Sequence, residues 1–198
     1  MITNEDAFQA RVMRENLWKH HVSSDYRIKW YAKVTHIEER QTISEIDLIV
    51  IEGCERAYAY EFKFLSGKDA SYNYKRIYQG LGQTLLYFWY GFDQCTLCIG
   101  VSENLDISTR RKVEAKIRQA TQAVEKIRKS MPYLGWMVFF EKKGNLKTYR
   151  CFIPKGSYPV VTKPMQKDRE TILAGNVKTR GASFLKKYGL ILSKVKKD

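Results

Sequence analysis

The feature that most constrains the fold is a pair of apolar segments joined by a short turn at Gly53. The first segment, residues 43–52, is rich in β-branched side chains, and the second, residues 57–65, places an aromatic residue at every other position. Two such segments on either side of a short turn predict a pair of antiparallel strands. A third alternating segment, residues 26–37, precedes them and extends the prediction to a three-stranded antiparallel meander.

Helical periodicity surrounds these strands and predicts an α/β chain. Residues 4–21 contain no glycine or proline, and residues 71–90 also have helical spacing, so both are predicted helices. The continuous apolar run at 96–101 predicts a strand that is buried on both faces. Apolar residues recur every three or four positions from Val113 to Met131, which predicts a third helix. A hairpin over residues 136–153 is predicted to follow it.

The charge of the chain is strongly basic. It has 35 Lys and Arg against 21 Asp and Glu, for a formal net charge of +14. Such a charge favours a polyanionic partner, and nucleic acid is the expected one. The apolar content of 44% is enough for one packed core and excludes a wholly disordered chain. The longest apolar run has six residues, whereas a membrane span needs about 20, so no membrane partner is expected.

A shift in composition predicts two parts, an α/β domain over residues 1–162 and a basic C-terminal extension over residues 163–198. The extension carries ten basic residues against three acidic ones. Apolar residues at helical spacing predict an amphipathic helix within it. We expect the extension to add phosphate contacts, with Lys186 and Lys187 as candidate nucleic-acid-binding residues.

The cysteines and the N-terminal residues predict a compartment. The chain has four cysteines, and no apolar leader stands at its beginning. Reduced thiols and a cytoplasmic location are expected, which would be the host cytoplasm for a viral protein. The Cys95–Cys98 pair lies in an apolar run without a second pair to complete a zinc site, so these are predicted to be buried structural thiols.

Three charged residues interrupt the predicted hairpin. Asp47 stands early in one apolar strand, while Glu61 and Lys63 lie two positions apart on the next and therefore share a face. Charged side chains are rarely buried in such strands unless they are paired. Two carboxylates beside one ammonium would form an oxygen-rich site for Mg²⁺ or Mn²⁺. Such a cation activates water for phosphodiester hydrolysis, and the lysine would steer that water or stabilise developing charge.

This arrangement resembles the PD-(D/E)xK nuclease superfamily. Asp47 matches the first acid of the motif, with Ile46 in the place of the proline, and Glu61–Phe62–Lys63 matches the (D/E)xK element. The resemblance covers about residues 5–105. It implies a restriction-endonuclease-like core made of a helix, a three-stranded antiparallel meander, a second helix and a further buried strand. The third helix, the hairpin and the basic extension would be additions to that core.

The resemblance also implies roles for residues on the first two helices. Many members carry an acid on the first helix, for which Glu15 is the natural match as a further metal ligand. A branch that includes DNA-repair and CRISPR-associated exonucleases has a QxxxY motif on the second helix, and Gln83 and Tyr87 fit it. Gln83 would orient the catalytic lysine or a phosphate, and Tyr87 would be accessory. Gln79 is the alternative if the register differs by one turn.

The expected function is a Mg²⁺- or Mn²⁺-dependent deoxyribonuclease, a hydrolase with Asp47 and Glu61 as metal ligands and Lys63 as base or charge stabiliser. Arg76 lies on the same side of the second helix as Gln83 and is a candidate DNA contact. Exonuclease and endonuclease activity are both compatible with these residues. The alternatives are a non-catalytic DNA-binding or assembly protein with the same fold and a dimeric, structure-specific resolvase of the Holliday-junction type. The charged residues could also form a purely structural ion pair.

Overall fold

The structure is a computed structural model that describes residues 2–15, 17, 26–34, 44–53, 56–67, 69–158, 166 and 170. The chain forms α1 (Glu5–Arg14), β1 (Tyr26–Val34), β2 (Ser44–Glu52), β3 (Arg56–Leu65), α2 (Ala70–Trp89), β4 (Gln94–Val101), α3 (Ile107–Ile127), β5 (Leu134–Lys142) and β6 (Asn145–Phe152). The predicted α/β class is confirmed. Apart from positions 166 and 170, the predicted C-terminal extension lies outside the described residues, as do Lys186 and Lys187.

The described strands form one mixed six-stranded sheet in which they follow their sequence order from β1 to β6. β1, β2 and β3 pair antiparallel, so the predicted meander is confirmed. β3, β4 and β5 run parallel, and β6 returns antiparallel beside β5 as the second strand of the predicted hairpin. Parallel neighbours need a crossover connection, and α2 and α3 supply the two that this order requires.

Helices cover both faces of the sheet. On one face, apolar residues of α2 and α3 such as Ile77 and Val113 join a core with Ile49 of β2 and Leu97 of β4. On the other face α1 packs through Phe8, whose ring stacks on that of Phe64 at a centroid distance of 5.6 Å. β4 lies between the two layers and is buried from its second residue onward, as its apolar run predicts.

The helix ends are set by side-chain caps. Asn4 accepts a hydrogen bond from the backbone N–H of Ala7 at 2.9 Å, and Asp69 accepts one from Ser71 at 2.9 Å. α1 ends at Arg14, before the predicted limit at residue 21, and positions 18–21 lie outside the described residues.

None of the described helices combines the length and apolar character that a membrane crossing requires.

Gly80 allows α2 to lie directly against the charged part of β3. A Cβ atom at this position would lie 2.8 Å from Cγ of Lys63 and 2.8 Å from Cδ1 of Leu97, well inside the separation at which carbon atoms pack. Gly82 differs, because a Cβ atom there would meet nothing within 4 Å. The closeness of α2 to Lys63 therefore depends on the missing side chain at position 80.

Alanine at these two glycines should change the free energy of unfolding in opposite directions. Gly82→Ala adds helix propensity in open space and should stabilise the protein by about 0.5–1 kcal/mol. Gly80→Ala forces Leu97 or the α2 backbone to shift and should destabilise it by about 1–3 kcal/mol. Urea unfolding followed by circular dichroism measures both values. Equal stabilisation by the two substitutions would contradict the close approach of α2.

Candidate active site

β2 and β3 separate before β3 ends, and the candidate site lies at this divergence. Their pairing ends with Leu48 opposite Tyr60. β3 continues to Leu65 and stays paired with β4 along its other edge. Alternate residues of a strand direct their backbone N–H groups toward the same edge. From Phe62 onward, the edge of β3 that faces β2 therefore presents backbone donors that β2 does not pair.

Two carboxylates accept the hydrogen bonds of these backbone donors. Oδ2 of Asp47 accepts from the N–H of Phe62 at 2.8 Å, and Oε2 of Glu5 accepts from the N–H of Phe64 at 3.0 Å. Asp47 belongs to β2, whereas Glu5 opens α1. An unpaired buried backbone donor costs about 1–3 kcal/mol. The two carboxylates thus accept the hydrogen bonds of the backbone donors at this edge of β3, and those hydrogen bonds hold the carboxylates in position.

Glu61 lies at the centre of the cluster and is only 1% exposed. The Nζ ammonium of Lys63 donates a hydrogen bond to its Oε1, and the hydroxyl of Tyr87 donates one to its Oε2. Lys63 shares the face of β3 with Glu61, as their spacing predicts, and Tyr87 reaches the same carboxylate from α2. Both oxygens of this carboxylate are therefore held in place.

Burial and mutual repulsion make the two strand acids difficult to ionise. Desolvation raises the pKa of Asp47 well above its usual value, and the Glu61 carboxylate raises it further, against the opposing effects of Lys63 and the Phe62 N–H. Burial also raises the pKa of Glu61, although Lys63 and Tyr87 lower it in part. One ammonium is thus shared by two buried carboxylates, and additional positive charge would favour their ionised forms.

Lys63 is held in its charged form. Burial by itself would lower the pKa of this lysine, but Glu61, Glu5 and Asp47 together raise it. A lysine with a raised pKa remains an ammonium at neutral pH and donates hydrogen bonds without accepting any. Of the two roles expected for Lys63, this favours charge stabilisation over that of a general base.

A cleft of about 560 Å³ opens beside this cluster, and residues of α1, β3 and α2 line it. Lys63 lines the cleft. Glu61 lies behind it and accepts a hydrogen bond from the Lys63 ammonium. Both glutamines considered for the second helix contribute to the wall. The lining residues are Glu5, Lys63, Arg76, Gln79, Gly82, Gln83 and Leu86.

Arg76 is anchored at the wall of the cleft. Its guanidinium pairs with the Glu5 carboxylate, and Nη1 donates to the hydroxyl of Tyr72 at 3.2 Å. Burial opposes the charge, but Glu5 and Tyr72 raise the pKa of Arg76 above its ordinary value. The Nε–H is buried, and no described residue accepts a hydrogen bond from it. Arg76 is therefore held in the wall of the cleft by Tyr72 and by Glu5, whose carboxylate balances its positive charge.

The acid that α1 brings to this cluster is Glu5, and the expectation for Glu15 is corrected. Glu15 caps the C-terminal end of α1 and pairs with Arg11, which also binds Asn145 at the start of β6. The first turn of α1 lies against the end of β3, so Glu15 in the last turn lies away from the cluster, toward the start of β6. The sequence signal for Glu5 was its place in an acidic first turn after a capping asparagine, which is common to many helices.

The remaining predicted residues have definite places in the structure. It brings Asp47, Glu61, Lys63 and Tyr87 together through direct contacts or mutual charge effects. Gln83 lies in the same cleft as Lys63, so the two residues of the QxxxY pattern both belong to the site. Arg76 also lines the cleft, whereas Lys186 and Lys187 lie outside the described residues.

Asp47 and Glu61 are the described residues best suited to hold a divalent cation. Within the described ranges, no cluster of three or more His, Cys, Asp or Glu side chains forms a ready ligand set. Mg²⁺ does not require one, because it commonly binds one or two protein carboxylates and keeps several waters. Two oxygen donors that share a single ammonium fit Mg²⁺ or Mn²⁺ in both ligand type and charge.

Comparison of the sequence with protein-family models and with curated proteins gives no match for this chain. The functional interpretation therefore depends on the residues of the site and on their arrangement. The main observation behind this interpretation is that Asp47, Glu61 and Lys63 lie together where two strands diverge.

Replacing Asp47 by asparagine should stabilise the metal-free protein at neutral pH. Asparagine keeps an oxygen for the Phe62 N–H and removes the buried charge. Because the folded-state pKa of Asp47 is raised, the folded protein binds more protons than the unfolded chain above about pH 4, and wild-type stability falls as pH rises toward that pKa. Urea unfolding in EDTA from pH 4 to pH 8 should show a shallower fall for Asp47→Asn.

The control for this experiment is Asp93→Asn. Asp93 is also buried and accepts the backbone N–H of Ala57 at 2.8 Å, near the start of β3. This substitution should not reproduce the gain in stability, because the cost at Asp47 combines desolvation with repulsion by Glu61, and Asp93 lies near the start of β3, away from that carboxylate. A loss of several kcal/mol for Asp47→Asn would contradict the account and indicate a structural ion pair instead.

Proposed function

We propose that the chain is a divalent-metal-dependent deoxyribonuclease of the PD-(D/E)xK type. The observation that carries the proposal is the meeting of Asp47, Glu61 and Lys63 where β2 separates from β3. The order of α1, the meander, α2 and β4 agrees with the restriction-endonuclease-like core that the sequence resemblance implies. The reaction would be hydrolysis of a phosphodiester bond in DNA.

Asp47 and Glu61 would hold the Mg²⁺ or Mn²⁺ ion. When bound, the ion supplies positive charge to a phosphate oxygen and lowers the pKa of water. Burial raises the pKa of both acids, and the Glu61 charge adds to the effect at Asp47, so a bound cation would favour their ionised forms, which supports this assignment.

The side chains around the acids are arranged to stabilise negative charge on the phosphate. Lys63 remains protonated and faces the cleft, so its ammonium would offset charge that develops on the phosphate oxygens. Tyr87 and Lys63 hold the two oxygens of Glu61 in a fixed orientation. Gln83 lines the same cleft, where its amide would donate to a phosphate oxygen. This preorganisation is the main contribution that the protein makes to such chemistry.

The net charge of the chain supports DNA as the partner, and its thiols support a cytoplasmic location. A net charge of +14 favours a phosphate-rich substrate, and Arg76, which is paired with Glu5, lines the cleft beside the candidate centre. Cys95, Cys98 and Cys151 are free thiols in the described part of the chain, which agrees with the proposed cytoplasmic setting.

The purified protein should cleave DNA in Mg²⁺ or Mn²⁺ and stop cleaving in EDTA. Lys63→Met keeps much of the apolar stem and removes the ammonium, and we expect it to lower the rate at least ~100-fold. Initial rates on linear duplex, single-stranded and branched DNA measure the effect and identify the preferred substrate. Melting curves establish that the variant is folded.

The matched control for that assay is Lys155→Met. Lys155 is exposed, follows β6 and bonds through its backbone to Pro132, at the end of the sheet opposite the candidate site. This variant should retain its cleavage rate at saturating DNA. Undiminished cleavage by Lys63→Met would contradict the assignment, and DNA binding without any cleavage by the wild type would favour the non-catalytic alternative.

A further inference from the structure

The outer face of α3 carries positive charge along most of its length. Six of its 21 residues are basic and two are acidic. Apolar residues such as Val113, Ile117 and Val124 bury the opposite face in the core on this side of the sheet. Exposed residues at steps of three or four positions follow one line along the solvent side. They are Arg111, Ala115, Arg118, Gln122 and Lys126, and Lys129 continues the line in the turn after the helix.

The four cations of this line are here called the basic row: Arg111, Arg118, Lys126 and Lys129. None of them forms an ion pair within the part of the chain that the structure describes. The neighbouring charges differ in this respect. Arg110 binds Glu114 at 3.0 Å, and Glu125, the other acid of α3, interacts electrostatically with Arg128. The positive charge of the row is therefore available to a partner.

Helix stability does not explain this distribution of charge. Lys112 and Lys116 stand four positions apart, and Lys126 and Lys129 stand three apart. Like charges at these spacings destabilise a helix by about 0.2–0.5 kcal/mol per pair. The cations of α3 thus carry a cost in the free protein, which an anionic partner would offset.

The basic row is separate from the cleft and the candidate active site. α3 meets α2 where the ammonium of Lys116 lies 5.8 Å from the ring centre of Tyr74 and 5.4 Å from that of Tyr78. Neither tyrosine lines the cleft, and no residue of α3 does. α3 also lies outside residues 5–105, the part of the chain that resembles the nuclease core. The row is therefore a second surface, on an element added to that core.

The side chains of the row suit phosphates that are held in a regular array. Arginine and lysine bind phosphate oxygens through charged donors. The row has no ring on which an unpaired base could stack and no large apolar side chain that could enter a membrane. At 1.5 Å per residue it is about 27 Å long, which corresponds to about eight base pairs of duplex DNA at 3.4 Å each.

We propose that the basic row binds the phosphate backbone of duplex DNA outside the cleft. The contact is independent of base sequence and holds the duplex against α3. Each cation that contacts a phosphate releases counterions from the DNA, and this release favours binding. The proposal deepens the proposed nuclease function and rests on it for the choice of DNA as the polyanion.

The test measures duplex binding in EDTA, so that it does not depend on cleavage. Dissociation constants of the full chain are determined by fluorescence anisotropy at several salt concentrations, with a labelled duplex of about 20 base pairs that exceeds the row in length. The row variant combines Arg111→Gln, Arg118→Gln, Lys126→Gln and Lys129→Gln. Its affinity should fall at least about tenfold at low salt. The slope of log K against log salt should become shallower by about 3–4, because each lost phosphate contact removes about 0.9.

The matched control removes the same charge from other parts of the surface. It combines glutamine substitutions of two arginines and two lysines that are all exposed: Arg14, Arg56, Lys143 and Lys155. They lie at the end of α1, at the start of β3, in the turn between β5 and β6 and after β6. The control should keep a slope within about 1 of the wild type, because it loses net charge without losing the row. Melting curves establish that both variants are folded.

Three results would overturn the proposal: equal changes of slope in the two variants, unchanged duplex affinity in the row variant, or loss of binding to phosphatidylserine vesicles without any change in duplex affinity. Failure of the nuclease proposal is distinguishable from these. Undiminished cleavage by Lys63→Met would refute the catalytic assignment and leave the salt slopes intact. Normal metal-dependent cleavage together with equal slopes in the two variants would refute the basic row alone.

Discussion

The site depends on one electrostatic constraint, the sharing of a single ammonium by two buried carboxylates. Glu61 has both oxygens engaged, by Lys63 and by Tyr87, and Asp47 is held by a backbone N–H of β3. Burial raises the pKa of both acids. A folded protein that keeps such an arrangement accepts a loss of stability, which is common at functional sites because the strained groups take part in the chemistry.

The fold creates this constraint through the divergence of two strands. β2 pairs with β3 only from Leu48 onward, so the edge of β3 beyond Tyr60 requires acceptors that side chains provide. The absence of a side chain at Gly80 lets α2 pack closely against Lys63. The same helix places the hydroxyl of Tyr87 within hydrogen-bond distance of Glu61. The same helix supplies one wall of the cleft. The same few contacts thus pack α2 on the sheet, provide acceptors for the backbone donors of β3 and position the charged groups.

Much of this could be predicted from local pattern, and the rest depended on tertiary packing. The alternation around Glu61 and Lys63 determined their shared face, and helical spacing placed Gln83 and Tyr87 near one another on α2. The acid of α1 was different, because periodicity does not tell which end of a helix meets the sheet. The packing of Phe8 on the β3 phenylalanines sets that direction, and it brings Glu5 rather than Glu15 to the edge of β3.

The most direct test of the account is calorimetric titration of the metal-free protein with Mn²⁺, carried out in two buffers that differ in their enthalpy of ionisation. Ligand carboxylates must lose their protons when a metal binds, so raised pKa values predict that binding releases protons. We expect a single class of site in the wild type, a heat that depends on the buffer in mildly acidic solution, and loss of binding in Asp47→Asn. Binding of equal strength by Asp47→Asn, or none by the wild type, would contradict the claim that these acids form a cation site.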